Sequence, residues 1–151
     1  MFHWSIARGF ILCLAPLAII TACAGAQTAT APTPPATLAG RWSGTADDNS
    51  GTGLMTWQVS LSGASLSGIV TVVEPTSRVT GQGTLSGTFD GRQIAFTLSI
   101  PTGGFGSPYE SCAATVSGTA TAELWLLTGT YTGTNTCSGE VTSGQLTLNR
   151  Q

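Results

Sequence analysis

Acidic side chains are the residues of this chain best suited to chemistry, because the bases that usually accompany a nucleophile are scarce. Asp47 with Asp48, or Glu110 with Glu140, could act as a pair of carboxylates of the kind that glycosidases use. The chain has no lysine, and its single histidine, His3, lies near the N-terminus. Without a neighbouring base, serine and threonine hydroxyls are not activated as nucleophiles. We therefore interpret the acids as solvated loop charges, and we predict no catalytic residue, no cofactor and no enzymatic activity.

The first residues of the chain have the layout of an export signal. A basic start without acids precedes an apolar run at residues 11–20, which is too short to span a bilayer. The run ends in Ile20-Thr21-Ala22-Cys23, which resembles the bacterial lipobox, in which the cysteine is lipidated. The resemblance implies a signal peptide at residues 1–22, acylation of Cys23 and attachment to the lipid bilayer. The alternative is an ordinary signal peptide that happens to contain a cysteine.

The residue after Cys23 bears on location. In the lipoprotein pattern of Gram-negative bacteria, aspartate at this position retains the protein at the inner membrane, whereas this chain has Ala24. The resemblance therefore implies an exported protein that is anchored in the bacterial cell envelope, at the outer membrane and facing the periplasm.

The rest of the chain divides into a tether and a domain. Residues 23–37 consist mainly of alanine, threonine and proline without charge, a composition that cannot bury a core and is typical of an extended linker. Residues 38–151 form the domain, which carries four arginines against seven acids and thus a formal charge of −3. Because binding to phosphates requires clustered cations, we exclude nucleic acid as a partner.

Two cysteines remain in the domain, Cys112 and Cys137. In an exported domain a lone pair of cysteines most simply forms a disulfide, which we predict here. A metal site is the alternative, but the domain has no histidine to support one. Residues 47–51 also lack the spaced ligands and terminal glutamate of a calcium loop. We predict no bound metal.

Apolar and polar residues alternate through most of the domain, which predicts strands with one buried face. The pattern is clearest on either side of Asp90-Gly91, a dipeptide typical of a tight hairpin turn. No helical period is found. The eight predicted strands are residues 40–46, 54–61, 66–73, 79–89, 92–100, 112–120, 123–133 and 145–150.

Short connections between sequential strands favour an all-β, eight-stranded, antiparallel up-and-down meander that closes into a barrel, with a two-sheet sandwich as the competitor. A pattern of apolar residue, Ser or Thr, and Gly recurs in five strands and puts each Gly on the inner face, where strong coiling needs the space. We call the end with the longer predicted connections the mouth and the opposite end the base. The predicted mouth connections are residues 47–53, 74–78, 101–111 and 134–144.

The strand order also predicts at which end of the barrel the cysteines, the charged residues and the tether lie. Cys112 and Cys137 fall together at the mouth, together with most of the acids. Three arginines and the tether fall at the base. The expected molecule stands on a basic, closed base with an acidic mouth directed away from the membrane.

Gly40-Arg41-Trp42 in the first strand and Arg150 in the last resemble the calycin group, which contains the lipocalin and avidin barrels. In that group a tryptophan of the first strand plugs the closed end and an arginine of the last strand stacks on its face. The resemblance implies this role for Trp42 and Arg150. The lipocalin Thr-Asp-x-x-Tyr turn, the terminal helices and the biotin contacts of avidins are absent, so the resemblance implies no particular ligand.

The interior of such a barrel is either filled by side chains or holds one small ligand, and the sequence leaves both open. Phe105 and Tyr109 lie in the longest predicted loop, where they would form a lid, anchor a partner protein or fold onto the rim. If a cavity exists, the expected ligand is a lipid, fatty acid or similar hydrophobe. The aromatic residues predicted to line it are Trp57, Phe89, Phe96, Trp125 and Tyr131.

Two non-enzymatic functions follow from these predictions. The first is a membrane-anchored bacterial lipoprotein that binds a small hydrophobic ligand in its barrel. The second is a cell-envelope interaction or inhibitor module that engages another protein through the loops at the mouth.

Overall fold

The computed structural model describes residues 37–151. The predicted signal peptide at residues 1–22, the lipidation site at Cys23 and the tether up to residue 36 lie outside the described residues. Within residues 37–151, no helix is long and apolar enough to cross a membrane.

The described chain is all-β and forms one closed antiparallel barrel in which every strand pairs with its neighbours in sequence and β1 pairs with β8. The predicted eight-stranded meander is therefore confirmed, and the two-sheet sandwich is excluded. The strands are β1 (Gly40–Asp48), β2 (Gly51–Ser62), β3 (Ser65–Val73), β4 (Thr80–Phe89), β5 (Gln93–Ile100), β6 (Ala114–Ala122), β7 (Leu126–Asn135) and β8 (Gly139–Arg150).

The alternating pattern of the sequence determines which side chains fill the barrel. In β5, apolar residues at every second position are buried inside, and Gln93 and Ala95 between them are exposed. The buried side chains of this strand are Ile94, Phe96, Leu98 and Ile100. One continuous core results, because the closed sheet has a single interior and no free edge.

Glycines on the inner face allow the strands to coil tightly. Gly87 and Gly118 lie on either side of Phe96 in the sheet. A Cβ atom at Gly87 would overlap the backbone carbonyl of Ala95, and one at Gly118 would overlap that of Thr130. The same overlap with a neighbouring strand is found at Gly44, Gly68, Gly83, Gly129 and Gly133. The recurring glycine of the sequence pattern is thus a steric requirement of the barrel.

The N-terminal residues of the described chain close the base. Leu38 is fully buried, and its carbonyl accepts a 2.8 Å hydrogen bond from the indole Nε1 of Trp42. The Arg150 guanidinium lies over this indole, with Cζ 5.6 Å from the ring centroid, and donates to the carbonyls of Thr37 and Ala39. The expected contact between Trp42 and Arg150 is therefore present. It joins the start of the barrel to its last strand.

Two mouth connections are shorter than predicted. The predicted loop at residues 47–53 is a two-residue turn at residues 49–50, and the predicted loop at residues 134–144 is a three-residue turn at residues 136–138. At the β1–β2 turn, the Asn49 side chain makes hydrogen bonds to β8 in place of backbone pairing. Its amide donates to the Glu140 carbonyl at 2.8 Å, and its oxygen accepts from the Thr142 amide at 2.8 Å. A bulge in β8 accompanies this contact, with Ser143 at a φ of 55°.

The longest connection, residues 101–113, crosses the mouth and is fixed at its end by the disulfide. Cys112 and Cys137 are bonded, with their Cα atoms 5.5 Å apart, which confirms the predicted pair. Cys112 precedes β6 and does not begin it, since the strand starts at Ala114. The bond links the β5–β6 connection to the β7–β8 turn, so two of the four mouth connections are joined covalently.

The steric role of the glycines predicts an unequal response to two neighbouring substitutions in β4. Gly87→Ala should lower the free energy of unfolding by about 2 kcal/mol or more, since the new methyl group meets backbone atoms that cannot move aside. Ser86→Ala, on the exposed face, should change it by less than about 0.5 kcal/mol. Urea unfolding followed by circular dichroism gives both values, and equal losses would show that Gly87 is not sterically required.

Candidate functional site

The half of the barrel toward the mouth is hollow and encloses a cavity of about 510 Å³. Its walls come from the mouth-side ends of the strands, where the inward residues are small or aliphatic. Those residues are Ala46, Met55, Val70, Val72, Leu98, Ile100, Ala114, Val116 and Val141. The mouth connections surround its opening, and Cys112 and Cys137 also line it.

The half toward the base is solid, because large side chains fill it. Trp57 is fully buried and meets Phe96 edge-on, with ring centroids 5.0 Å apart. Phe89 is buried farther toward the β4–β5 turn. The prediction that Trp57, Phe89 and Phe96 line the pocket is wrong: they are inside the barrel, but they fill the base and do not border the cavity. The sequence pattern showed that they point inward but not how deep they lie.

Trp125 was also predicted to line the pocket, and this prediction is wrong. Its side chain is 70% exposed and lies in the β6–β7 turn at the base. The predicted strand at residues 123–133 begins only at Leu126, so the inward alternation does not extend back to Trp125. The sequence predicts this turn too early, at residues 121–122, because residues 123–125 contain no glycine, asparagine or proline to mark it.

Tyr131 is the one predicted pocket residue that does line the cavity. Its phenol donates a 2.9 Å hydrogen bond to Oδ2 of Asp48. The other oxygen of Asp48 accepts hydrogen bonds from the backbone amide and the hydroxyl of Ser50. Burial raises the pKa of the Tyr131 phenol above its usual range, and the hydrogen bond to Asp48 raises it further. The phenol therefore remains a neutral hydrogen-bond donor at physiological pH.

Asp48, interpreted from the sequence as a solvated loop charge, is a functional candidate in the structure. The sequence predicts a loop at this position, whereas β1 continues through Asp48 and the side chain is directed into the cavity. The sequence carries a signal for this orientation. Trp42, Ala46 and Asp48 are all at even-numbered positions of one strand, so their side chains point to the same side of the sheet. Asp47 has the opposite parity. Its carboxylate accepts from the Thr52 hydroxyl on the outer face.

A second carboxylate, Glu74, stands at the rim in the β3–β4 connection. Hydrogen bonds from the side chain and amide of Ser77, and from Thr76, lower the pKa of Glu74 to about 2. Glu74 is therefore ionised at neutral pH.

The two acid pairs considered as catalytic candidates lie in different surroundings from each other. Asp47 and Asp48 face opposite sides of the sheet, so their carboxylates do not converge on one substrate bond. Glu110 and Glu140 are both exposed at the mouth. Within residues 37–151, no group of three or more His, Cys, Asp or Glu side chains is placed to hold a metal ion.

The predicted lid residues have different surroundings. Phe105 borders the cavity, and its backbone is held against β4 by a bridge to Gly81. The Gln82 amide donates to the Gly104 carbonyl at 2.8 Å, and the Gly106 amide donates to the Thr80 carbonyl at the same distance. The loop thus continues the sheet beside β4, and the Phe105 ring covers one side of the opening. Tyr109 also borders the cavity but is 45% exposed.

The buried phenol predicts a loss of stability at alkaline pH. Because the folded protein holds the Tyr131 proton more tightly than the unfolded chain does, this contribution is complete below the ordinary pKa of 10.0 and declines as the pH rises above it. Tyr131→Phe should reduce this alkaline decline, whereas Tyr109→Phe should retain it.

Denaturant unfolding between about pH 8 and pH 11 measures this effect for each protein. If wild type and Tyr131→Phe declined in parallel, the phenol would be in contact with water and not in the barrel.

Comparison with known proteins gives no relative: no protein-family model matches the chain, and no curated protein or solved structure is similar to it at a significant level.

Proposed function

We propose that this chain is a membrane-anchored bacterial lipoprotein, without enzymatic activity, whose barrel binds a small hydrophobic ligand in the cavity at its mouth. The observation that carries this proposal is the cavity itself. Its volume of about 510 Å³ lies in the range of about 300 to 1,000 Å³ typical of small-molecule sites. Its walls are largely aliphatic, so an apolar ligand would displace poorly bound water at little polar cost.

The barrel is suited to keep this cavity open. Strand pairing around the whole barrel fixes the radius, and the disulfide joins two of the connections that surround the opening. The base is filled by Trp57, Phe96 and their neighbours, so the walls cannot collapse inward without deforming the sheet. A preformed site avoids the entropic cost of ordering on binding.

Binding can be tested with the neutral fluorescent dye N-phenylnaphthylamine on the unacylated chain, Cys23→Ser. We expect saturable binding that is weakened about tenfold or more by Ala114→Phe, which places a ring in the cavity. Thr115→Phe, one residue along β6 and directed outward, is the matched control and should leave the affinity unchanged. An equal effect of both variants, or no saturable binding by wild type, would contradict the proposal.

The second candidate is a cell-envelope interaction or inhibitor module acting through the mouth. Tyr109 supports it, because an aromatic side chain that is 45% exposed on a fixed loop is a suitable anchor for a partner. Phe105 supports the first candidate, because it borders the cavity and packs beside Gly81. Tyr109→Ala separates the two candidate functions. Only if the second candidate is right would this variant lose capture of a partner protein while dye binding stays intact.

The proposed anchor at Cys23 implies an orientation, with the base toward the outer membrane and the mouth in the periplasm. The described chain begins at the base, where Thr37 and Ala39 bind Arg150. Trp125, 70% exposed, and Leu124, 59% exposed, form an apolar tip at the same end. Tryptophan is enriched at membrane interfaces, so this tip is suited to contact lipid when the tether holds the barrel close.

Brominated lipids, which quench tryptophan fluorescence at close range, test the anchor and the orientation together. In vesicles, the acylated chain should be quenched, and Trp125→Phe should remove most of the quenching because Trp42 and Trp57 are buried in the barrel. Cys23→Ser should remain in the soluble fraction and show none. Quenching that survives Trp125→Phe would contradict this orientation, and a membrane-bound Cys23→Ser chain would contradict the anchor.

A further inference from the structure

The charged groups that border the cavity are all acidic. Its opening includes the carboxylates of Asp48 and Glu74, and no arginine is among the residues that line it. The remaining polar residues of the lining are neutral: Ser50, Ser77, Tyr109, Tyr131, Asn135, Ser138 and Thr52, whose hydroxyl is bonded to Asp47 on the outer face.

The arginines of the described chain do not offset these acids inside the cavity. Arg41, Arg92 and Arg150 belong to the base, at the opposite end of the strands. Arg78 is in the β3–β4 connection, where its amide donates to the Glu74 carbonyl, but its side chain does not border the cavity. A ligand carboxylate in the cavity would therefore meet two like charges and no cation among the lining residues.

Asp48 is placed to receive a donor from a ligand. An ionised carboxylate has about four acceptor positions. Three of them are used by the Ser50 amide, the Ser50 hydroxyl and the Tyr131 phenol. The carboxylate is half-buried and borders the cavity, so the remaining acceptor position is accessible to a ligand there. The Tyr131 and Ser50 bonds also hold the carboxylate in a fixed orientation.

We propose that the cavity selects an amphiphile with an aliphatic tail and a protonated amine head, with the tail against the walls and the amine donating to Asp48. This inference rests on the proposed function and specifies the ligand class for the same site. A charge-assisted hydrogen bond from an ammonium group to a fixed, half-buried carboxylate is stronger than one from a hydroxyl. The site consequently favours amines over alcohols and alcohols over fatty acids, a class that the sequence analysis had included.

Three probes with the same decyl chain test this order: decylamine, decanol and decanoate. Each is titrated, below its micelle concentration and at neutral pH, against the Cys23→Ser chain loaded with N-phenylnaphthylamine. Wild type should bind decylamine about tenfold or more tightly than decanoate, with decanol between them.

Two adjacent substitutions separate the specific contact from the general charge of the mouth. Asp48→Asn keeps the shape of the side chain. It should weaken decylamine about tenfold and strengthen decanoate, with each affinity calculated from the dye affinity of the same variant. Asp47→Asn changes the net charge by the same amount, but its side chain is on the outer face, so it should alter neither affinity more than about twofold.

The outcomes distinguish this inference from the function on which it rests. If the dye binds but decanoate displaces it as well as decylamine does, the ligand class is wrong and the hydrophobic site remains. Equal effects of Asp47→Asn and Asp48→Asn would also overturn the role of Asp48. If wild type binds neither dye nor probe, both the proposed function and the ligand class fail.

Discussion

A closed barrel has one interior, and every inward side chain of the eight strands competes for the same space. Glycines let the strands coil around that space, and side-chain size decides where it is filled. Tryptophan and phenylalanine occupy the base, whereas alanine and valine occupy the inward positions near the mouth. The same alternation therefore produces a solid half and a hollow half. The base stabilises the sheet by burial of apolar area, and the mouth half leaves the cavity open.

The polar groups at the mouth, Asp48 above all, border a cavity whose walls are mostly aliphatic. Asp48 continues an inward row of β1 residues and bonds Tyr131 across the interior. In water this carboxylate would be an ordinary surface charge, but here Tyr131 and Ser50 hold it as a fixed acceptor beside aliphatic walls. Trp125 lies at the base and the acidic opening at the mouth, so the proposed anchor and the proposed ligand belong to opposite ends of the barrel.

Parity in the sequence predicted the barrel and its strand order, because a two-residue period and short connections leave few alternatives. The disulfide was predicted from the lone pair of cysteines in the domain. Parity does not show how far along the barrel a side chain lies. Trp57 and Phe96 were therefore assigned to the pocket, although they lie between it and the base. The residue composition of two connections gave the wrong bounds for them. The polar residues 47–53 indicated a loop where the hairpin continues almost to its tip. Residues 123–125 lack the usual turn residues, so the β6–β7 turn was predicted too early, at residues 121–122. For the first of these reasons Asp48 was interpreted as a loop charge, and for the second Trp125 was misplaced.

The central claim is that the mouth half of the barrel is hollow and apolar while the base half is solid. Xenon binds in apolar cavities, so the most direct measurement is the anomalous scattering of a crystal of this protein equilibrated with xenon. The account predicts xenon among Val70, Val116 and Val141, and none beside Trp57. An interior without xenon, or side chains packed across the space between these valines, would contradict it.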